Sequence, residues 1–550
     1  MATMMALVLD GYADEPACLG VPPYISPYAR LAYGALSDAG AEVDYSTIDQ
    51  WRSGNVRLER YDIISMVRNV SVPGKYLRGM PASNRELAVI ASSFDGASVA
   101  SLGVSPAKLE HRLVDQFDHV VSEDLDATLY DLVTERVLND RRRTYEEWNS
   151  WLLTGARACT MHPDHGGQLI AEVQMYRGCA RYISGGCSFC VEPLLGEVSF
   201  RQPKDILKEV RALSNVGVRN FRLGAQSCVY CYMSAEIGEN ETPTPNPDAI
   251  ESLLRGIREL VDPEVFHLDN ANPSVISEHP EESRKVTKAI ARYCTSGNVL
   301  AFGLESADPD VKEANNLNAT AEQTLEAVRL INDIGSPRGP TGLPLVLPGI
   351  NFVCGLRAES KRTYELNLKF LRRLLSEGLM IRRINIRQVI PSREEFPPIP
   401  SRVDFERFKK TVRAEIDGPM LERLVPDRTV LRSVYAEVRE GGRTFGRQVG
   451  TYPLLVSLPY PVEIGRRFDV AVTGRGMRSV TGVMHPTDAN SATMSMLEGV
   501  PGIGRRRAIA IVRRRPFSGP DELWQIFDEP KALASAQFHL SVGNVVIHGQ

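Results

Sequence analysis

The chain has little of what marks a secreted, membrane-spanning or nucleic-acid-coating protein. Its 550 residues contain only nine cysteines, an odd number that is clustered rather than spread, which argues against a secreted disulfide framework. Neither sign of charge is in excess. Lys and Arg number 64 against 68 Asp and Glu, a formal net charge of −4, which excludes a globally basic nucleic-acid coat and a highly acidic disordered chain. No apolar run approaches the roughly 18 residues of a membrane helix, and Met1–Asp10 lacks a basic stretch followed by a cleavable apolar one. These absences lead us to expect a cytoplasmic protein with reduced thiols, some of them holding metal. What is present is ordinary globular composition, 43% hydrophobic and 24% charged. The length suits about three or four domains.

The hydrophobic pattern predicts an α/β chain. In residues 1–135 a strand, Ala6–Asp10, leads through the Gly/Pro-rich loop Gly20-Val-Pro-Pro-Tyr24 to a helix over Tyr28–Ala39, ended by Gly40, and a second strand, Ala41–Tyr45. Further strands are expected at Ile63–Val67, Ser98–Leu102 and His119–Val121, with loops at Val72–Tyr76, Ser101–Val104 and Ser122–Asp124. This rhythm predicts a doubly wound, Rossmann-like domain whose ligand sits at the carboxyl ends of its strands. An Arg-rich connector follows over 136–167. Residues 168–395 alternate short apolar strands with helices: Leu169–Gln174, Asn220–Leu223, Val265–Leu268, Leu300–Leu304, Gly349–Val353 and Arg383–Ile386 predict a partial (β/α)6 barrel. A linker and helix over 396–428, opening with Phe396-Pro-Pro-Ile-Pro400, lead to a small β-barrel over 429–485, with strands expected at Val434–Glu440, Thr444–Val449, Val462–Ile464 and Phe468–Val472. Residues 486–550 return to helix.

The strongest chemical signal is Cys179-x7-Cys187-x2-Cys190, directly after the strand Leu169–Gln174. Three thiolates suit three irons of a cubane [4Fe–4S] cluster and leave the fourth iron open to chelate a cosubstrate. Gly178, Gly185 and Gly186 let the loop backbone wrap closely. The alternative is a zinc knuckle that borrows a fourth Cys or His from elsewhere.

On these cysteines the chain resembles the radical S-adenosylmethionine (SAM) superfamily. The family's usual loop has three residues between its first two cysteines and an aromatic before the third. Here Phe189 keeps the aromatic, but seven residues fill the first gap. The resemblance extends along 168–395 and implies SAM-binding roles at strand ends. Gly224-Ala225-Gln226 matches the segment holding the amino group of SAM, and Glu305-Ser306 the segment whose side chains contact it. Gly355 and Glu359 match the stretch near the adenine, and Arg387 stands where a polar residue meets the carboxylate or ribose. The implied chemistry is one-electron cleavage of SAM and hydrogen abstraction by a 5′-deoxyadenosyl radical, with an electron donor such as ferredoxin or flavodoxin.

The amino-terminal segment resembles the cobalamin-binding domain of cobalamin-dependent members of the superfamily. The implied contacts are Tyr24 at the helix entry, Pro73 and Gly74, Leu102, Gly103 and Val104, and Glu123. No Asp-x-His-x-x-Gly motif occurs, so no protein histidine is expected on cobalt, and His111 and His119 are read as surface or core residues. A methylthiotransferase-like reading competes, but it asks for a second cysteine cluster near the amino terminus, where Cys18 stands alone before Cys159.

Three weaker signals remain. Cys228-Val-Tyr-Cys231 is read as half of an auxiliary metal site, a redox pair or two packed thiols, while Cys294 and Cys354 are read as core residues. His162-Pro-Asp-His165 has metal-like composition that a turn also explains. Leu497–Arg515 resembles a helix-hairpin-helix. Between Gly499 and Pro520 it holds six Arg and no acid, which suits phosphate contacts or protein docking. The whole order resembles an archaeal group of cobalamin-dependent radical SAM methyltransferases, which includes enzymes modifying methyl-coenzyme M reductase. The expected function is C-methylation of a protein side chain, a glutamine of that reductase first. The alternatives are RNA modification and a binding protein with a structural cluster.

Overall fold

Alternation along the first strand sets the architecture of the amino-terminal part. In β1 (Met5–Asp10) Ala6 and Val8 enter one apolar core while Leu7 and Leu9 enter another on the opposite face. A strand buried on both faces belongs inside a sheet covered on both sides. The computed structural model describes residues 3–12, 24–67, 81–101, 117–391 and 393–543. After β1 come β2 (Tyr24–Ile25), β3 (Glu42–Thr47), β4 (Ile63–Val67), β5 (Ala97–Ser101) and β6 (His119–Val121). All but β2 form a parallel sheet in the order β3-β1-β4-β5-β6.

The short β2 instead pairs parallel with β7 (Ile170–Gln174), the first strand of the central barrel. Thus Tyr24, expected at the helix entry of the first domain, stands on the edge of the barrel sheet, with the Arg222 guanidinium 5.9 Å from its ring centre. The helix Pro27–Asp38 begins two residues later. Pro27 occupies its first position and the Ser26 hydroxyl accepts from the Ala29 N–H, a start that satisfies one orphan donor and needs none from the proline.

The Arg-rich connector contains a buried helix, Tyr145–Gly155, whose Trp148, Trp151 and Leu152 pack against Leu31 and Ala35. Two glycines allow this crossing. A Cβ on Gly34 would lie 2.0 Å from the Trp151 carbonyl oxygen, and one on Gly155 2.0 Å from that of Arg30. Arg30 itself is fully buried and pairs with Glu209 at 2.7 Å, on the helix Pro203–Asn215 of the barrel. The amino-terminal sheet and the barrel therefore share one continuous core.

The barrel runs through β8 (Tyr176–Arg177), β9 (Ser199–Phe200), β10 (Asn220–Gly224), β11 (Val265–Leu268), β12 (Asn298–Glu305), β13 (Val346–Cys354) and β14 (Arg383–Gln388). Strands β2, β7, β10 and β11 form one parallel sheet and β12, β13 and β14 a second; a bridge between Ala271 and Phe302 joins them. The expected six strands are all present. The antiparallel pair β8 and β9 clips together the two ends of the cysteine loop.

A closed barrel follows in the order β15-β16-β17-β19-β18, built from β15 (Val430–Glu440), β16 (Arg443–Gln448), β17 (Leu455–Leu458), β18 (Arg467–Arg475) and β19 (Ser479–Met484). The strand expected at Val462–Ile464 does not form. Pro459 and Pro461 both precede this stretch and Gly465 follows it, and the Thr444 hydroxyl holds its start by accepting from the Val462 N–H and donating to the Tyr460 carbonyl. Short helices close the described chain, with Met494–Gly499 and Arg505–Arg514 joined by a turn in which Gly502 has φ +80°.

Because the two helix backbones touch at Gly34 and Gly155, Gly34→Ala is expected to lower stability by about 1–3 kcal/mol through overpacking. Gly418→Ala, at helical φ −62° and ψ −60° where a Cβ meets nothing within 4 Å, is expected to leave it unchanged or raise it by less than about 1 kcal/mol. Scanning calorimetry of both variants checks this contrast.

Candidate active site

The loop after β8 turns through three glycines with positive φ, Gly178 (+95°), Gly185 (+79°) and Gly186 (+61°). At Gly186 a Cβ would also stand 2.4 Å from Pro193 Cγ, so this position needs glycine twice over. The loop presents Cys179, Cys187 and Cys190, all unbridged. Burial pushes the Cys179 thiol up to about 12 and raises the other two, and Cys190 also feels the charge of both partners. A metal binds the thiolate, so ligation here would have to displace the proton that this burial favours. Among the described residues no group of three or more His, Cys, Asp or Glu is arranged to hold one metal ion.

The loop is braced from outside. Arg181 donates to Cys187 Sγ (3.2 Å), to the Asn316 carbonyl (2.9 Å) and side-chain oxygen (2.8 Å), and to Glu241 (2.8 Å). Asn316, at φ +47°, returns its amide N–H to the Gly186 carbonyl at 3.0 Å. Asn315 fixes Ser188 through its backbone and side chain. From beyond β14, Arg393 donates to the carbonyls of Gly185 and Cys187. Sequence reasoning missed these bracing residues, because nothing in their spacing signals that two distant loops meet the cysteines. It also read Phe396–Pro400 as a plain linker. In the structure Phe396 packs with Phe189, Cys187, Val311, Leu317 and Leu356, an apolar cover over one side of the loop.

The strand ends supply polar groups. Ala225 has φ +55° and its carbonyl accepts from Gln174 Nε2 at 2.7 Å. Gln226 is buried, and its own amide donates to the Leu223 carbonyl. The side-chain oxygens of Gln174 and Gln226 and Glu305 Oε2 are buried without a partner. These three acceptors lie at or just past the carboxyl ends of β7, β10 and β12, where each can take an N–H from a bound group. A Cβ at Gly224 would lie 2.1 Å from Glu172 Oε1, so a larger residue there would displace the Glu172 carboxylate from its pairing with Arg222. Ser306 is buried and accepts from the Asp308 N–H. Glu359 is engaged within the chain, accepting from the Gly355 N–H at 2.7 Å and from the Tyr364 hydroxyl. Arg387 lies on β14 and its charge is felt at Glu305.

The carboxyl edge of the amino-terminal sheet reaches the same loop. Just past β6, Glu123 takes Arg142 at 2.9 Å, and Arg142 donates to the Leu195 carbonyl beyond the last cysteine. Asp124 takes Arg177 at 2.7 Å, two residues before Cys179, and Arg143 at 2.9 Å. Pro73, Gly74, Leu102, Gly103, Val104, Cys18 and His111 lie outside the described residues.

The remaining signals resolve simply. His162–His165 is a turn in which His162 Nδ1 accepts from the Asp164 N–H and His165 bonds the Val216 carbonyl. Cys228 and Cys231 are buried beside the loop: the Tyr176 hydroxyl accepts from the Cys228 N–H and donates to its carbonyl, and Asn272 N–H donates to Cys228 Sγ at 3.2 Å. Cys294 and Cys354 are core residues.

Residues 173–353 match the model of the Radical SAM superfamily. An uncharacterized protein of Methanocaldococcus jannaschii is 45% identical over 503 residues, 87% of this chain and 92% of its own length. One from Archaeoglobus fulgidus is 40% identical over 539 residues, 94% of this chain and 97% of its own. Among solved structures, the radical S-adenosylmethionine methyltransferase TsrM from Kitasatospora setae, with cobalamin and a [4Fe-4S] cluster bound, is 14% identical. That likeness has a TM-score of 0.48, covering 99% of this chain and 92% of TsrM.

Burial raises the Glu305 carboxyl from its ordinary 4.5 to about 8, with Arg387 acting the other way. Between those values the unfolded chain loses this proton and the folded one keeps it, so stability falls as pH rises from about 4.5 to about 8. Glu305→Gln removes the penalty. In cluster-free protein its advantage over the parent should be near zero at pH 4.5 and grow to roughly 1–3 kcal/mol by pH 8, as thermal melts at both pH values will report.

Proposed function

This chain is a Radical SAM enzyme, of one family with the two archaeal proteins just described, and on that premise we propose that it is a cobalamin-dependent C-methyltransferase acting on a protein side chain. A glutamine of methyl-coenzyme M reductase is the first candidate. The observation that carries the reading is the pair of ionic ties, Asp124 to Arg177 and Glu123 through Arg142 to Leu195. They join the carboxyl edge of a doubly covered parallel sheet, where such sheets take their ligands, to the loop that carries the three cysteines. A cofactor on that edge would be held next to the residues that tie the edge to the cysteine loop. Among the described residues, those available to it are Tyr24 and Glu123; the rest of its expected contacts, Pro73, Gly74, Leu102, Gly103 and Val104, lie outside them.

The superfamily domain implies a [4Fe–4S] cluster and SAM, and when bound these groups supply the one-electron cleavage and the radical, with cobalamin as methyl carrier. The chain's own residues hold, orient and shield. Cys179, Cys187 and Cys190 offer three sulfurs on a loop that Arg181, Asn316 and Arg393 keep in place. The unpartnered oxygens of Gln174, Gln226 and Glu305 would be available to accept from an amino group of SAM, and Ser306 and Arg387 would add polar contacts. Glu359 shapes the site by holding Gly355 at φ +89°. Phe189 and Phe396 keep water from the loop's flank, which matters because a reactive intermediate must be shielded from side reactions.

A second reading, RNA modification, is favoured by one surface. Arg505, Arg506, Arg513 and Arg514 are exposed on the helix after the Gly502 turn, while Arg507 is tied to Asp528 and Glu529 and Arg515 to backbone carbonyls. RNA affinity that falls steeply with salt, with a slope flattened by Arg505→Gln and Arg506→Gln, would favour this reading. A peptide-modifying enzyme should be indifferent to both changes.

Cys187→Ala should abolish 5′-deoxyadenosine formation while the chain stays folded, because one of three cluster ligands is lost without a core side chain. Iron and cobalt analysis of anaerobically reconstituted protein tests the cofactors directly. Iron without cobalt would remove the cobalamin assignment. Mass spectrometry of protein and RNA substrates after turnover with methyl-labelled SAM decides between the two substrate classes.

A further inference from the structure

The proposed chemistry leaves Cys228 and Cys231 without a task. They stand on one turn just past the carboxyl end of β10, where Cys228 caps the short helix Val229–Cys231. Both are buried and unbridged. The two side chains meet, the Cys231 thiol donating to Cys228 Sγ. Cys228 Sγ also accepts from the Asn272 N–H at 3.2 Å and from the backbone N–H groups of Tyr230 and Cys231. Cys294 and Cys354 stand on separate elements, at the ends of the helix Pro280–Tyr293 and of β13.

A buried neutral thiol packs as a small apolar group and needs no donors. A sulfur on which several N–H groups converge is arranged instead for negative charge, the form that attacks a disulfide. The second thiol, already in hydrogen-bond reach of the first, needs little backbone movement to bridge to it. The turn is also fixed to the base of the cysteine loop. Ser227 donates to the Gly178 carbonyl at 3.0 Å, one residue before Cys179, and the Tyr176 hydroxyl accepts from the Cys228 N–H at 2.8 Å and donates to its carbonyl at 2.6 Å.

We propose that Cys228 and Cys231 are a redox-active dithiol, a second redox site beside the cysteine loop that a low-molecular-weight disulfide oxidises reversibly. Cys228 Sγ attacks one sulfur of the small disulfide, whose S–S bond breaks; a mixed disulfide forms, and the first small thiol leaves with the Cys228 proton. Cys231 Sγ then attacks Cys228 Sγ, the Cys228–Cys231 bond replaces the mixed disulfide, and the second small thiol leaves with the Cys231 proton. Two cysteine thiols are oxidised and one small disulfide is reduced to two thiols, so an excess of small thiol runs the exchange backwards. The bond would replace the Cys231 S–H donation on the turn that Ser227 fastens to Gly178. The proposal concerns these two sulfurs and does not depend on methyl transfer.

The test equilibrates the full, cluster-loaded protein anaerobically with bis(2-hydroxyethyl) disulfide, quenches with acid, alkylates the remaining thiols in denaturant and weighs the peptides. The peptide holding both cysteines is expected to lose two hydrogens and escape alkylation, while Cys294 and Cys354 are alkylated as before and the cluster absorbance is unchanged. Excess 2-mercaptoethanol should restore both thiols. Cys231→Ser keeps a hydroxyl able to donate to Cys228 but removes the resolving sulfur, so the hydroxyethylthio adduct should accumulate on Cys228, roughly tenfold above the adduct on Cys231 in Cys228→Ser. Alkylation of Cys228 and Cys231 to the same extent as Cys294 and Cys354, oxidation that only accompanies loss of the cluster absorbance, or equal adducts in the two variants would overturn the proposal. The parent's disulfide is read without any substitution, so the result stands even where a variant fails to fold.

Discussion

A single guanidinium, that of Arg181, holds together three separate loops of the central barrel. It reaches a cluster cysteine in its own loop, Asn316 in the loop region after β12, and Glu241 beyond β10. A loop rich in glycine cannot hold three sulfurs in register by itself, because each glycine adds conformational freedom that must be removed on folding. The removal here comes from outside, through charge-assisted bonds that are stronger than neutral ones and directional in the guanidinium plane. Asn316 closes the arrangement by accepting from Arg181 and donating to Gly186. The position of the three thiols therefore depends on this bracing.

Around that brace, the other units attach by the same device. Asp124 and Glu123 draw the edge of the amino-terminal sheet to the loop through Arg177 and Arg142. Arg30 and Arg201 bury their charge against Glu209, tying the helix Pro27–Asp38 and the β9 end to the barrel helix Pro203–Asn215. Buried pairs of this kind add little net stability, but breaking one leaves an unpaired charge that costs about 3–5 kcal/mol. They therefore act mainly as alignment devices. The close backbone contacts at Gly34 and Gly155 do the rest, setting the distance at which the two units meet.

Much of this was legible in the chain because it rests on local periodicity. The six barrel strands, the parallel first sheet and the small β-barrel follow from alternation, apolar runs and turn residues. The barrel's β17 and β19 were missed, and Val462–Ile464 was read as a strand, because a β-rich stretch just after a proline looks the same whether a ladder or a threonine hydroxyl holds it. The connector was read from its arginines, yet its tryptophans carry the packing of the helix Tyr145–Gly155. Tyr24 was assigned to the first domain because it precedes the first helix, and only pairing with Ile170 shows that it joins the barrel sheet.

By itself the sequence determined the three candidate cysteines and the order of strands and helices. Three cysteines in one glycine-rich loop after a strand carry their chemistry in their identity and spacing, and no distant residue is needed to name them. Only the tertiary structure decided what surrounds them: the arginines and asparagines that brace the loop, the cover formed by Phe396, the unpartnered oxygens of Gln174, Gln226 and Glu305, and the donors gathered on Cys228 Sγ. The physical reason is that a hydrogen bond or an apolar contact joins residues hundreds of positions apart at no cost in local pattern. Arg393 and Gly185 are 208 residues apart in the chain, and no period or motif relates them until the strands between have folded.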